Sequence, residues 1–187
     1  EVKDYYRELD MQHGVLTMKV TVIQDGKETE VEAIRFLSVA DKELAAIKYS
    51  VTARNYNGNV TFVPYLDGDV RNEDSNYDED FWYEISRDAS EHNSSLVMKT
   101  KDNPFGTPTF QVATTMQTVV EGTVAKFEVN EKEEYVENVI EVKVEQGQTV
   151  TLYKYIAVTT DRDYEASELV SKEIGRASCR ERVSTSV

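Results

Sequence analysis

Along most of the chain, apolar residues recur at every second position. Leu16, Met18, Val20 and Val22 alternate with Thr17, Lys19 and Thr21. That is the period of a strand with one buried face. Asp25-Gly26 follows, a pair that fits a two-residue hairpin turn, and a second strand runs through Val31, Ala33 and Arg35 to Leu37. Ala45, Ile47, Tyr49, Val51 and Ala53 share one face of a third. Asn57-Gly58 then turns the chain into NVTFVPYL. FWYEI, LVMKT, FQVATTMQTVV, GTVAKFEV, ENVIEVKV and TVTLYKYIAVTT read as further strands, the last two joined at Gln146-Gly147. About ten strands with frequent turn signals predict an all-β fold, an antiparallel β-sandwich over residues 1–160. The period changes only at DRDYEASELVSKEI, so residues 161–173 are expected to start a helical linker.

The longest stretch without a period is DGDVRNEDSNYDED, residues 67–80. It is polar, rich in Asn and Asp, and too long for a simple hairpin. Long ordered loops in compact domains commonly carry function. The formal net charge of −14 sharpens this picture, because so acidic a surface repels nucleic acid and anionic membranes. No run of about 18 apolar residues is present, so no membrane span is expected. The first 178 residues hold no cysteine, which excludes a disulfide framework there and favours the cytoplasm.

Catalytic chemistry needs a constellation, and the residues do not assemble one. His13 lies just before a strand and His92 in the polar turn SEHNSS, so both read as surface residues. No zinc-type His spacing and no Gly-rich phosphate loop occur, so no metal and no cofactor is expected. Asp67, Asp69 and Arg71 begin like a calcium loop. Asn72, however, stands where the sharp turn needs glycine, and Asp78 where a Glu should close it. Glu73, Asp74, Asp78, Glu79 and Asp80 offer carboxylate pairs of the kind glycosidases use, yet any loop of so acidic a chain would. Phe81-Trp82-Tyr83 contains rings that could stack on a sugar. Alternation along a strand puts at most Phe81 and Tyr83 on one side, and core packing is expected for at least one face.

The stretches YRELDMQHGVLTMKVTV, EAIRFLSVADKELAAIKYSVT and FVPYLDGDVRNEDSNYDEDFWYEI resemble the N-terminal domain of family 65 glycoside hydrolases and phosphorylases. DGDVRNEDSNYDEDFW, KTKDNPFGTPTFQVATTM and TVTLYKYIAVTTDRDY look most like the family's maltose phosphorylases. The resemblance covers residues 1 to about 172 and implies a super-sandwich of the galactose-mutarotase kind. Ahead of a helical linker, an (α/α)6 catalytic barrel and a small C-terminal β-domain, such a domain is mostly architectural. The implied reaction is reversible and inverting: maltose plus phosphate gives β-glucose 1-phosphate plus glucose. Inorganic phosphate is then a co-substrate, and the general-acid Glu belongs to the barrel, so no catalytic residue is assigned here. The implied partners are the chain's own barrel and a second subunit in a homodimer. The loop carrying Asp67, Asp69, Arg71, Asn72, Glu73, Asp74 and Trp82 is the expected barrel or dimer contact.

Two alternatives accompany this reading. One is another family 65 member acting on kojibiose, trehalose or nigerose. The other is a stand-alone carbohydrate-binding module, which saturable binding of glucose or maltose by the isolated chain would favour. The C-terminal stretch IGRASCRERVSTSV, residues 174–187, departs from everything before it. It carries three arginines and the only cysteine, Cys179. IGRASCRERV within it resembles the translation of a sequencing adapter, STSV is left unassigned, and residues 174–187 are expected to be a non-native tail. The sequence is likewise expected to lack the first part of the sandwich.

Overall fold

The computed structural model describes residues 1–71, 80–91 and 93–172. The expected tail (174–187), His92, Asn72, Glu73 and Asp74 lie outside the described residues. Among the described residues twelve strands form: β1 (Val2–Asp10), β2 (Val15–Gln24), β3 (Lys27–Leu37), β4 (Leu44–Ala53), β5 (Gly58–Phe62), β6 (Tyr65–Asp67), β7 (Trp82–Asp88), β8 (Asn93–Thr100), β9 (Gln111–Glu121), β10 (Thr123–Lys132), β11 (Tyr135–Val144) and β12 (Thr149–Thr160). The two strands beyond the expected ten have physical causes. Pro64, which lacks a backbone donor, splits NVTFVPYL into β5 and β6. β1 escaped the pattern because all nine of its residues are exposed, so no face needs apolar residues.

The fold is an antiparallel β-sandwich. Hydrogen-bonded neighbours run β1-β2-β3-β4-β12-β9-β8-β7 in one sheet and β10-β11-β5 in the other, where β6 also pairs with β11. Asp25 and Gly26 both take positive φ, 51° and 76°, closing β2 onto β3 with Gln24 opposite Lys27. That is the primed turn expected of an Asp-Gly pair.

The chain divides into two compact units. The first is Glu1–Pro64, Thr118–Glu128 and Val139–Tyr155; the second is Tyr65–Gln117, Val129–Asn138 and the chain from Ile156. In the first, alternate residues of both sheets face inward: Val51 and Ala53 of β4, Phe62 of β5, Ile140, Val142 and Val144 of β11, and Val150 and Leu152 of β12. Tyr49 meets Phe62 edge-on at 6.3 Å, a favoured aromatic geometry. Gly122, the single residue between β9 and β10, has φ 154°, and a Cβ there would lie 2.7 Å from Val142 Cγ1. Only glycine fits that corner without moving the core. Paired hydroxyls join β4 to β12, Ser50 to Thr151 at 3.0 Å and Thr52 to Thr149 at 2.8 Å.

In the second unit β8 is buried on both faces. Leu96 and Met98 join Leu66, Met116 and Val136, whereas Val97 joins Ala113 and Leu169. Leu169 explains the second face. The helical period expected from residue 161 begins later, with a 3-10 turn at Ala166–Glu168 that continues as helix through 169–172. Residues 161–164 are a turn instead, with the amides of Asp163 and Tyr164 donating to the carbonyl of Thr160. Leu169 is then laid on β8 and β9 at 1% exposure, and its carbonyl accepts from Thr159 Oγ1 at 3.4 Å.

Candidate functional site

The loop leaving β6 is built from short-range bonds. Asp67 Oδ1 accepts from the amide of Asp69 at 3.1 Å, and the amide of Val70 donates to the carbonyl of Gly68 at 2.8 Å. Gly68 also donates to the carbonyl of Glu134 at 2.7 Å, tying the loop to the β10–β11 turn. A side chain at Gly68 would press on Leu96 and on Met98, whose Sδ would lie 2.7 Å from the added Cβ. Arg71 Nε lies 3.7 Å from Asp69 Oδ1, and both side chains are more than half exposed.

On the far side of the loop, Asp80 accepts from Lys101 Nζ at 2.8 Å and from the amide of Trp82 at 3.1 Å. These bonds, that from Lys101 foremost, hold its carboxyl below the usual aspartate value. Asp80 is therefore an anchored carboxylate, poorly suited to donate a proton as a general acid. The other carboxylates considered for glycoside chemistry, Glu73, Asp74, Asp78 and Glu79, lie outside the described residues.

The residues expected at this contact loop divide. Asp67, Asp69 and Arg71 stand on the surface. Trp82 turns inward instead, onto the Leu66–Met98 cluster, with its ring edge-on to Phe110 at 5.4 Å. Alternation explains this: Phe81 and Tyr83 stay exposed while Trp82 between them packs, which is the core role expected for one face of FWY. The ring of Phe110 also carries Arg162, whose guanidinium lies 4.3 Å from its centre.

Three residues that the sequence did not single out complete the rim. Glu134 takes φ 60° in the β10–β11 turn, and its amide donates to Glu84 Oε2 at 2.6 Å. Burial, then the charges of Asp80, Asp69 and Glu133, push its carboxyl above the ordinary value. Tyr135 stacks on Tyr65 with ring centres 5.5 Å apart, and Lys132 Nζ lies 4.8 Å from its centre. Burial and a hydrogen bond donated to Glu137 raise the Tyr135 hydroxyl to about 12. A polar cleft of about 350 Å³ lies between Asp67, Asp69 and the Lys132–Tyr135 turn. A second, apolar cleft of about 270 Å³ has Leu66, Val70, Trp82 and Met98 among its walls.

The His13 ring joins no such site: it is exposed and its Nδ1 bonds Asp10 Oδ2 at 2.7 Å, closing the β1–β2 turn. Among the described residues no helix is long and apolar enough to cross a membrane, and no three His, Cys, Asp or Glu side chains are grouped to hold a metal.

Fold and site together define a class: an all-β sandwich domain that passes into a helix and carries an acidic rim. The profile of the N-terminal domain of glycosyl hydrolase family 65 matches residues 1–184, and the chain belongs to that family. It is 42% identical over 166 residues to the maltose phosphorylase of Bacillus subtilis (strain 168), covering 88% of this chain and 21% of that protein. It is 29% identical over 178 residues to the α,α-trehalose phosphorylase of Thermoanaerobacter brockii, covering 89% and 22%. The chain thus spans about a fifth of the length of these relatives. A solved human-microbiome protein assigned as a kojibiose phosphorylase superposes with a TM-score of 0.79 over 95% of this chain and 22% of its own, at 16% identity. That likeness bears on the fold alone.

Proposed function

We propose that the chain is the N-terminal domain of an inverting disaccharide phosphorylase, a glycosyl-transferring enzyme whose substrates are maltose and inorganic phosphate. The observation that carries this reading is the 42% identity to a maltose phosphorylase over 88% of the chain. The trehalose and kojibiose phosphorylases among the relatives keep those disaccharides as the second reading. In the reaction, a carboxylic acid of the catalytic barrel protonates the glycosidic oxygen. The bond from the anomeric carbon to that oxygen breaks, and a phosphate oxygen bonds the same carbon from the opposite face. Glucose leaves with the proton and β-glucose 1-phosphate is released. This domain supplies no general acid, so by itself it turns over nothing.

Its role is structural, in the cytoplasm: it packs on the barrel and supports a homodimer, and the rim around Asp67, Asp69 and Arg71 makes one of those contacts. The support is placement. Asp69 and Arg71 are exposed, while Gly68 and Asp80 anchor the loop ends through the bonds to Glu134, Lys101 and Trp82. Charge reversal in the complete enzyme, Asp69→Lys with Arg71→Glu, is expected to raise the KM for maltose or the dimer dissociation constant roughly two- to five-fold, the scale of exposed ion pairs. Unchanged values of both would remove the loop from either contact. The activity itself is tested by phosphate-dependent formation of β-glucose 1-phosphate.

A further inference from the structure

Asn57-Gly58 is the one Asn-Gly pair of the sequence. Both residues are exposed, between β4 and β5, and Gly58 opens β5. Such a pair can react with itself. The backbone nitrogen of the second residue attacks the side-chain amide carbon of the first, closing a five-membered ring. A Cβ on the second residue hinders that approach, and glycine has none.

The fold adds a donor where this reaction needs one. The amide of Gln146 donates to Asn57 Oδ1 at 2.7 Å. Only an acceptor can face a backbone N–H, so this bond holds the side-chain oxygen toward Gln146. Negative charge gathers on that oxygen as the nitrogen adds to the carbon. A fixed N–H aimed at it favours the addition, as an oxyanion hole does. Gln146 is itself held in a tight turn. Gln148 donates to the carbonyl of Glu145 at 2.9 Å, and the amide of Glu145 donates to Gln148 Oε1 at 2.9 Å. Gly147 donates to the carbonyl of Ala53 at 2.6 Å, joining the turn to the end of β4. Gly147 takes φ 81° and Gln146 no positive φ, which makes residues 145–148 a type II turn. The donor thus keeps its place while Asn57 reacts.

We infer that Asn57 is a self-modification site: the Gly58 nitrogen displaces the side-chain amide of Asn57, with the Gln146 amide as oxyanion donor. The Gly58 nitrogen gives its proton to solvent base and bonds to Asn57 Cγ. The Cγ–Nδ2 bond breaks, and Nδ2 takes up a proton and leaves as ammonia. Water then opens the ring at either carbonyl, which leaves aspartate or isoaspartate. Both products add a negative charge to a chain already at −14. Isoaspartate also runs the main chain through its Cβ and Cγ, lengthening it just ahead of the pairing of Gly58 with Val144.

The test is peptide mapping of position 57 after incubation of the chain at mildly alkaline pH, with asparagine, aspartate and isoaspartate resolved. It compares the native sequence with Gly58→Ala and Gln146→Pro, and thermal melts confirm that each is folded. Both variants suit the fold. A Cβ at Gly58 would meet the Tyr56 ring at an ordinary 3.8 Å, and proline is common at the second position of a type II turn. The native chain is expected to convert Asn57 ahead of every other asparagine. Gly58→Ala should lower that rate to the level of Asn59-Val60. Gln146→Pro removes the donor N–H and should slow conversion about two- to tenfold, the net strength of one hydrogen bond. The proposal is overturned if the folded chain leaves Asn57 intact while the urea-unfolded chain converts it, since the fold then shields the pair. It is equally overturned if Gln146→Pro converts as fast as the native chain or faster, which would leave the Gln146 amide no part in the reaction.

Discussion

Truncating Ile140 to alanine should lower the unfolding free energy by about 3 to 4 kcal/mol, the range for a large aliphatic side chain lost from a closed core. Ile140 is 1% exposed at the middle of β11, directly opposite Phe62 in the register. It lies in a cluster drawn from both sheets, including Val51, Val142 and Leu152. Neighbours on paired strands cannot close over the lost volume without breaking register, so most of the cavity remains. Urea titration should show a lower midpoint with an unchanged slope. A loss under about 1 kcal/mol would mean that this core is looser than its burial indicates.

The second large effect has the opposite sign. Lys154 is half-buried in β12, and burial pushes its ammonium down to about 8 from the ordinary 10.5. Burial disfavours the charged form, so the unfolded chain holds this proton more tightly than the folded one. Stability therefore rises with pH between about 8 and 10.5, and below pH 8 the protein carries the whole cost. A shift of this size corresponds to about 3 kcal/mol at most. Partial exposure reduces the expected figure to about 1–2 kcal/mol. Lys154→Met keeps the length of the chain and removes the charge. It should stabilise the protein by about 1–2 kcal/mol at pH 7, with the gain fading towards pH 10.5. A gain that does not change with pH would assign the effect to packing, and a loss would show that the contacts of the ammonium outweigh the cost of burying it.

The parts of the fold legible in the sequence were those where one face meets a core and the other meets water. The alternation along β2, β3 and β4 and the Asp25-Gly26 turn are of this kind. Where that contrast vanished, so did the signal. β1 is exposed on both faces and shows no apolar period. β8 is buried on both, because Leu169 covers the side opposite Leu96 and Met98, and nothing in LVMKT announces the helix that does so. The loop after β6 was legible as a loop from its Asn and Asp content. Its neighbours were not: Tyr135 stands opposite Asp67 only through pairing of segments about seventy residues apart, which no local pattern encodes. Trp82 shows the same limit in reverse. An aromatic beside a polar loop read as a contact, and strand alternation turns it, half-buried, onto Phe110.

The central proposal is that this sandwich is the N-terminal domain of an inverting maltose phosphorylase. The most direct measurement is ³¹P NMR of the complete gene product incubated with maltose and inorganic phosphate. The account predicts a growing phosphate-ester resonance of the β anomer of glucose 1-phosphate, together with an equal amount of glucose. Release of glucose with no phosphate ester, or formation of the α anomer, would contradict it.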